Sequence, residues 1–277
     1  MRISIAALLA FTTLPVFVQA EPSDSAIEAR VEESTTRLGD SEGGQLILDS
    51  VNAHGGLQKW FENGPLHFRW DYRMLDQGPD VGRDTIQTVD KWSSRAVHTI
   101  PDQPGVSFGW DGEKAWIKPR DAEFSPSPRF WALTPFYFVG IPFVLADPGT
   151  QFEVLDDIDF DGKPYHQVKV TYEAGTGDTP DDYYIALIDP ETKRTRGVRY
   201  IVTSKIVAPD GPGPEKLLTH EGLTEFDGIL LPTSHLTYAM EGDVVGEKMR
   251  NAEVSEIKFL ADDTTDFSIP ENAKIID

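Results

Sequence analysis

The chain has no cysteine. That excludes disulfides, thiolate metal sites, a cysteine nucleophile and a lipid-modified cysteine. Positive charge is scarce: 25 Lys and Arg stand against 46 Asp and Glu, for a formal net charge of −21. Nucleic acid and anionic membrane surfaces would be repelled, so neither is expected as a partner. The sequence has no G-x-G-x-x-G turn and no alternation of strand and helix patterns, which excludes the signals of a parallel α/β sheet. His220-Glu221 lacks a spaced second histidine, so no zinc-protease pair exists. No repeat of propeller or solenoid period is visible.

Long apolar runs are also few, and each has its own meaning. Met1-Arg2 opens a run from Ile3 to Val18 that ends in Val18-Gln19-Ala20, a small-x-small cleavage pattern. Residues 1–20 are therefore expected to be a signal peptide cleaved after Ala20, leaving a periplasmic or secreted protein with no transmembrane segment. The second run is Phe130 to Ala146. Its polar atoms are confined to Thr134, Trp131 and Tyr137, and six of its residues are aromatic. As a helix it would span about 26 Å, short of a hydrocarbon core of about 30 Å. Pro135 and Pro142 also forbid one unbroken helix. Two or three short turns are expected, with Thr134 as an N-cap before Pro135 and Pro142 opening a further turn.

Between these runs the pattern is mostly of period two. In "LHFRWDYRM", Leu66, Phe68, Trp70, Tyr72 and Met74 alternate with polar residues, as in a strand with one buried face. Similar segments recur to the C-terminus, among them Leu217–Phe226, Ile229–Met240 and Glu253–Leu260. Asp111-Gly112, Asp161-Gly162 and Asp227-Gly228 supply hairpin turns. One helix is expected in "SEGGQLILDSVNAHGG", where Ile47, Val51 and His54 share a face and Gly55-Gly56 ends it, with a further turn at "LQKWF". Residues 21–40 are polar and weakly periodic and read as a flexible leader, with at most a frayed helix near Ala26 to Arg37. The predicted fold is mainly β: one domain over 41–277, a curved antiparallel sheet forming an unclosed barrel, with an N-terminal helix and the mid-chain helical lid on its concave face. A segment apolar on all sides must be covered on all sides. The lid either fills the sheet as core or encloses an apolar ligand, and the sequence leaves both open.

Candidate chemistry is thin. "DIDFDG" places Asp157, Asp159 and Asp161 like the start of a calcium loop. The twelfth position, which needs a bidentate Glu, is Val168. A hairpin turn is the expectation, and no metal or cofactor is expected. "GDTPDD", residues 177–182, reads as a solvated acidic loop. Of the six histidines, His166 shares a parity with Val168, Val170 and Tyr172 and reads as core. Trp110 and Trp116 flank a turn, at rim or interior. No catalytic residue is expected.

The order of elements, with "EGLTEFDGILLPTSHLTYAM", "FWALTPFYFVGIPFVLADPG" and the terminal "DFSIPENAKIID", resembles the superfamily of periplasmic lipoprotein carriers and outer-membrane lipoprotein receptors. The lid segment is similar more particularly to a secreted bacterial branch beside it. The resemblance implies an unclosed barrel, a helical lid over an apolar cavity, and a lipid or the acyl chains of a lipoprotein as ligand, with no catalytic residue to carry over. The expected function is a non-enzymatic, monomeric carrier. Phe68, Trp70, Tyr72, Trp131, Phe136, Tyr137, Phe138 and Phe143 are expected to line its cavity. The alternatives are an envelope scaffold with a filled core, or a carbohydrate-active enzyme or lectin.

Overall fold

The computed structural model describes residues 22–78, 80–173, 179, 181–261 and 264–276. The expected signal segment and residues 177, 178 and 180 of the 177–182 loop lie outside the described residues. The alternating segments form strands β1 (Leu66–Met74), β2 (Gly82–Asp90), β3 (Arg95–Thr99), β4 (Ser107–Trp110), β5 (Ala115–Lys118), β6 (Thr150–Phe160), β7 (Lys163–Tyr172), β8 (Tyr184–Ile188), β9 (Thr195–Tyr200) and β10 (Lys216–Glu221). A two-stranded ribbon, β11 (Thr224–Phe226) and β12 (Ile229–Leu231), precedes β13 (Ser234–Glu241), β14 (Val244–Phe259) and β15 (Lys274–Ile276). Apart from the ribbon, they make one 13-stranded sheet in the order β15-β5-β4-β3-β2-β1-β14-β13-β10-β9-β8-β7-β6. Every pairing is antiparallel. Among the described residues the edge strands β15 and β6 do not pair, so the sheet is not closed.

The turns follow the residue chemistry. Asp161 and Gly162 both have positive φ (52° and 75°), as do Asp227 and Gly228 (47° and 81°). That is the backbone of the tight two-residue hairpin matched to strand twist. Asp111 instead caps its turn, its carboxylate accepting from the Glu113 and Lys114 N–H groups. Two long strand expectations break where the backbone demands it. Leu217–Phe226 splits at Gly222 (φ 62°), and Ile229–Met240 splits at Pro232, which has no N–H to give a ladder. The β11–β12 ribbon so released caps the helical layer: Leu230 N–H donates to the His54 carbonyl, and Asn63 Nδ2 to the Asp227 carbonyl. Conversely, β14 starts at Val244, well before the expected Glu253. Its first half carries little apolar alternation, because that half forms a wet hairpin with β13.

Residues 24–39 overturn the flexible-leader expectation. They form helix α1 (Asp24–Gly39), capped by the Ser23 hydroxyl. Ile27 and Leu38 are buried, and Arg30 and Arg37, two turns apart, act as anchors instead of solvated charges. Arg30 donates to the Trp92 carbonyl and to Asp147, with its guanidinium over the Phe61 ring at 4.3 Å. Arg37 donates to the carbonyls of Ala146, Asp147 and Thr150. The weak apolar period hid these bonds, because they are made by the residues that a polarity count assigns to water. Helix α2 (Glu42–Ala53) and helix α3 (Leu57–Glu62) follow, separated by Gly55 and Gly56 at positive φ. At Gly55 any Cβ would stand 2.3 Å from the Gly228 carbonyl oxygen, so the ribbon closes on the helices only because that residue is glycine.

The mid-chain run becomes α4 (Pro128–Trp131), α5 (Thr134–Val139) and a 3-10 turn (Phe143–Ala146). Thr134 is not the N-cap expected. It is the first residue of α5, and its hydroxyl donates back to the Phe130 carbonyl. Trp131 Nε1 donates to Thr85 on β2, while the Tyr137 hydroxyl bonds that of Tyr172 on β7. Seven strand spacings of about 4.8 Å separate β2 from β7, roughly 34 Å along a flat sheet. Six residues reach at most about 20 Å even when fully extended. One continuous core takes in Trp70 of β1, Ala96 of β3, Val170 of β7, Tyr200 of β9 and Val254 of β14 together with the insert, so the sheet curls around the insert.

Candidate functional site, a cavity beneath the helical insert

The space inside the curl is divided. Its lower half is solid. Trp60 of α3 stacks on Phe143 with ring centres 4.4 Å apart and planes 5° off parallel, and meets Phe136 and Phe259 at 6.3 and 6.1 Å. Leu66, Phe68, Val89, Val168, Ile188, Ile47 and Leu145 close around this stack, all fully buried. Its upper half, toward Met74, Gly82, Tyr172, Tyr200 and Lys216, is open. A cavity of about 1130 Å3 lies there, between the sheet, the exposed side of α4 and α5, and the 202–214 loop.

Five of the eight residues expected to line such a space do so: Trp70, Tyr72, Trp131, Tyr137 and Phe138. The other three do not. Phe68 sits one inward step below Trp70, in the solid half, and Phe136 and Phe143 face Trp60. Alternation gives the inward parity, but not the depth along the strand at which packing stops. The reading also missed Tyr172, Tyr184 and Tyr200, which complete the wall from β7, β8 and β9. Tyr184 and Tyr200 are register partners and stack at 6.3 Å, with Phe138 5.0 Å from Tyr200 and 6.4 Å from Tyr184. Their signal was inward parity within apolar strands, the same signal that singled out Trp70.

Charged groups of both signs line the cavity, Arg129 and Lys205 among them. On one side, Asp147 ends the insert. It bonds Arg30, leaves about 44% of its side-chain area open to the cavity, and is raised to about 6 because the enclosing protein opposes its charge more than Arg30 favours it. Asp182 is held by the Thr203 N–H and the Thr179 hydroxyl. Across the cavity stand Arg83, Lys216 and Arg250, from β2, β10 and β14. Burial raises the hydroxyls of Tyr137 and Tyr184 well above the usual phenol range, so both stay neutral donors.

The remaining candidates separate from the cavity. Asp157 bonds His166 Nδ1 and Asp161 faces Arg196 at 3.6 Å, on the β6–β7 hairpin. Among the described residues no group of three or more His, Asp or Glu is placed to hold a metal ion. Calcium is therefore expected to shift the melting temperature by less than about 1 °C, measured with and without chelator; a rise of several degrees would overturn the hairpin reading. His166, expected in the core, is half-exposed, because a bulge in β6 and its Asp157 partner hold it at the hairpin end. Trp116 is buried against Gly109 on the outer face, and Trp110 faces the cavity under the Arg129 guanidinium at 3.5 Å. The string Gly105-Val106-Ser107-Phe108-Gly109 has nucleophile-elbow spacing, which the sequence reading overlooked. It runs from a turn into β4 and not from a strand into a helix, so Ser107 is not presented as an elbow serine.

No protein-family model matches the chain, and no curated protein matches it. Solved structures do. A LolA superfamily protein from Nitrosomonas europaea is similar at 10% identity, over 80% of this chain and 95% of that one, with a TM-score of 0.49. A DUF1329 family protein from Desulfovibrio piger is similar at 12% identity, over 88% and 96%, with a TM-score of 0.47. A putative outer-membrane lipoprotein-sorting protein domain from Vibrio parahaemolyticus is similar at 11% identity, over 90% and 96%, with a TM-score of 0.45.

Proposed function

We propose that the protein is a non-enzymatic carrier that binds a lipid, or the acyl chains of a lipoprotein, in the cavity beneath the insert. The observation that supports this most is the cavity itself, about 1130 Å3 walled by Trp70, Trp131, Phe138, Tyr184 and Tyr200. Pockets for small ligands commonly measure about 300–1,000 Å3, so a chain-like molecule fits the upper end of that scale. Apolar wall left in water forgoes about 25 cal/mol for each Å2 that a ligand would cover. The insert excludes water from the bound chain and opens to load and release it. Its C-terminal half is pinned by Trp60, Arg30 and Arg37, and α5 by Phe136 against Trp60, so the movable part is α4. Residues 1–20 support export to the periplasm or the medium, with the protein acting there as a monomer. No helix among the described residues is long and apolar enough to cross a membrane.

The carbohydrate-enzyme alternative requires two carboxylates free to act as acid and base. Of the carboxylates lining the cavity, Asp147 and Asp182 are occupied by Arg30, Thr203 and Thr179, and Asp181 alone is left without a bond among the described residues, one short of the pair, which supports binding over catalysis. The solid half around Trp60 favours the scaffold alternative, which predicts no ligand at all. Native mass spectrometry of protein purified without detergent, followed by lipid extraction, separates the two. The expected result is a co-purifying lipid and uptake of a fluorescent fatty acid. Val202→Trp, at a half-buried wall position, is expected to weaken uptake about tenfold, or ~1.4 kcal/mol, with little change in melting temperature. Neither lipid nor uptake in the unaltered protein would leave the scaffold reading standing.

A further inference from the structure

In a chain with nearly twice as many acidic as basic residues, three cations converge on one side of the cavity. Arg83 is the register partner of Tyr72, and Arg250 of Met74 on the other side of the same strand. Lys216 is the register partner of Tyr200. Arg83 is more than a hundred residues from the other two, and Lys216 and Arg250 are 34 apart; the curled sheet brings the three together.

Their partners do not match their charge. Lys216 is only 8% exposed, yet its ammonium has three donors and makes one hydrogen bond, at 3.2 Å to the Pro214 carbonyl. Its other neighbour is the Tyr200 ring, 5.9 Å away. Arg83 donates to the Ser125 carbonyl and rests over Trp131, and makes no ion pair among the described residues. Arg250 donates to the Tyr72 hydroxyl at 2.8 Å and to Asp76 at 3.4 Å, and its Nε is buried with no partner. Asp76 is the one carboxylate that touches the trio among the described residues. Burial lowers Lys216 and Arg83, and in each case Arg250 lowers it further. Cations that are withdrawn from water, Lys216 almost wholly and Arg83 and Arg250 in part, are costly when they repel one another unless something pairs with them. Asp147 and Asp182 are held elsewhere, by Arg30, Thr203 and Thr179.

We infer that Arg83, Lys216 and Arg250 form the binding site for the anionic headgroup of the carried molecule, so that the ligand is an acidic amphiphile: a carboxylate or phosphate on an acyl chain. The headgroup oxygens accept from the Lys216 ammonium and the Arg250 guanidinium, and the chain lies against Trp70, Trp131 and Phe138. This rests on the lipid-binding reading above and narrows it. It also explains why an acidic protein binds an acidic ligand: the cations are inside, shielded from the surface charge.

Isothermal titration calorimetry on the delipidated protein at neutral pH tests this, with dodecanoate, dodecanol and inorganic phosphate as probes. Dodecanoate is expected to bind about tenfold or more tighter than dodecanol, since a charge-assisted hydrogen bond is roughly twice as strong as a neutral one. Phosphate alone is expected to bind far more weakly than dodecanoate. Lys216→Met and Arg250→Gln are expected to bring the ratio of dodecanoate to dodecanol affinity close to one. Lys216→Arg is expected to keep it. Lys216→Met should also melt at a higher temperature, because it removes an unpaired buried charge, so its lost preference would not be a folding defect. Equal affinity for acid and alcohol, or a preference that survives both variants, overturns the headgroup assignment alone. Phosphate binding as tightly as dodecanoate also overturns it, in favour of a free-anion site. Binding of neither amphiphile removes the lipid reading and this inference with it.

Discussion

Lowering the pH from 7.5 to 5 is expected to cost the protein most of its stability. His54, His98, His220 and His235 are at most 4% exposed, and each is held neutral by its surroundings. His54 Nδ1–H donates to the Leu230 carbonyl at 3.1 Å, and its Nε2 accepts from the Thr195 N–H at 3.2 Å. A second ring proton would meet that N–H head-on. His98 Nε2 and His235 Nδ1 donate to the carbonyls of Ala132 and Thr219, and their other ring nitrogens are buried without a partner. Neither ring nitrogen of His220 has one, and its ring centre lies 5.2 Å from that of His235. Burial first, then neighbouring positive groups for His54 and His220, lowers all four: His54 and His98 to about 4, His235 to about 3, and His220 well below its ordinary value.

An unfolded histidine takes up a proton near pH 6.5, while these remain neutral in the fold. Between pH 6.5 and about 4 the unfolded chain therefore binds more protons, and stability falls as pH falls. At pH 5 the loss is about 2 kcal/mol for each of His54, His98 and His235, and His220 adds to it in the same direction. Asp147 works the other way. Its carboxyl is raised to about 6, so the folded state takes up its proton first and regains a small part of that loss by pH 5, small because solvent screens a side chain that is 44% exposed. The net loss of about 6 kcal/mol compares with a typical total of about 5–15. It should lower the melting temperature by roughly 10–20 °C. Scanning calorimetry across this range decides it, and a melting temperature flat between pH 7.5 and 5 would show that the histidines titrate freely.

Trp60→Ala is expected to be the most damaging single substitution in the helical layer, costing about 3–5 kcal/mol. Trp60 is 2% exposed and touches α5, the 3-10 turn and β14 together, through Phe136, Phe143 and Phe259. Removing it opens a void in the solid half that neighbouring rings, fixed to separate elements, cannot fill. Trp60→Phe should recover more than half of the loss. Phe130→Ala is the matching control. Phe130 is half-buried and faces the cavity, so no packed layer collapses and the cost should stay below about 1 kcal/mol. Urea denaturation of the three variants measures this. Similar losses for Trp60→Ala and Phe130→Ala would mean that the insert is uniformly packed and that the division into solid and open halves is wrong.

The legible features were those written in neighbouring residues. Leu66 to Met74 announced a half-buried strand through its own alternation, Asp161-Gly162 and Asp227-Gly228 announced their hairpins through φ preference, and Pro135 and Pro142 broke the insert into short turns. Helix α1 was misread because its anchors, Arg30 and Arg37, bond partners more than fifty residues away. Half of β14 was missed because a strand facing water on both sides carries no alternation.

The sequence by itself determined the mainly antiparallel architecture, the places where strands turn, and the presence of a segment too greasy to leave uncovered. These follow from backbone sterics and from a period that any short window contains. The tertiary structure alone decided that the curl is solid around Trp60 and hollow beside Phe138, and that Arg83, Lys216 and Arg250 meet on one wall. A void is the small difference between the volume a sheet encloses and the volume of every side chain pointing into it. No stretch of sequence holds that difference, and a register linking residues 83, 216 and 250 exists only once the strands between them have paired.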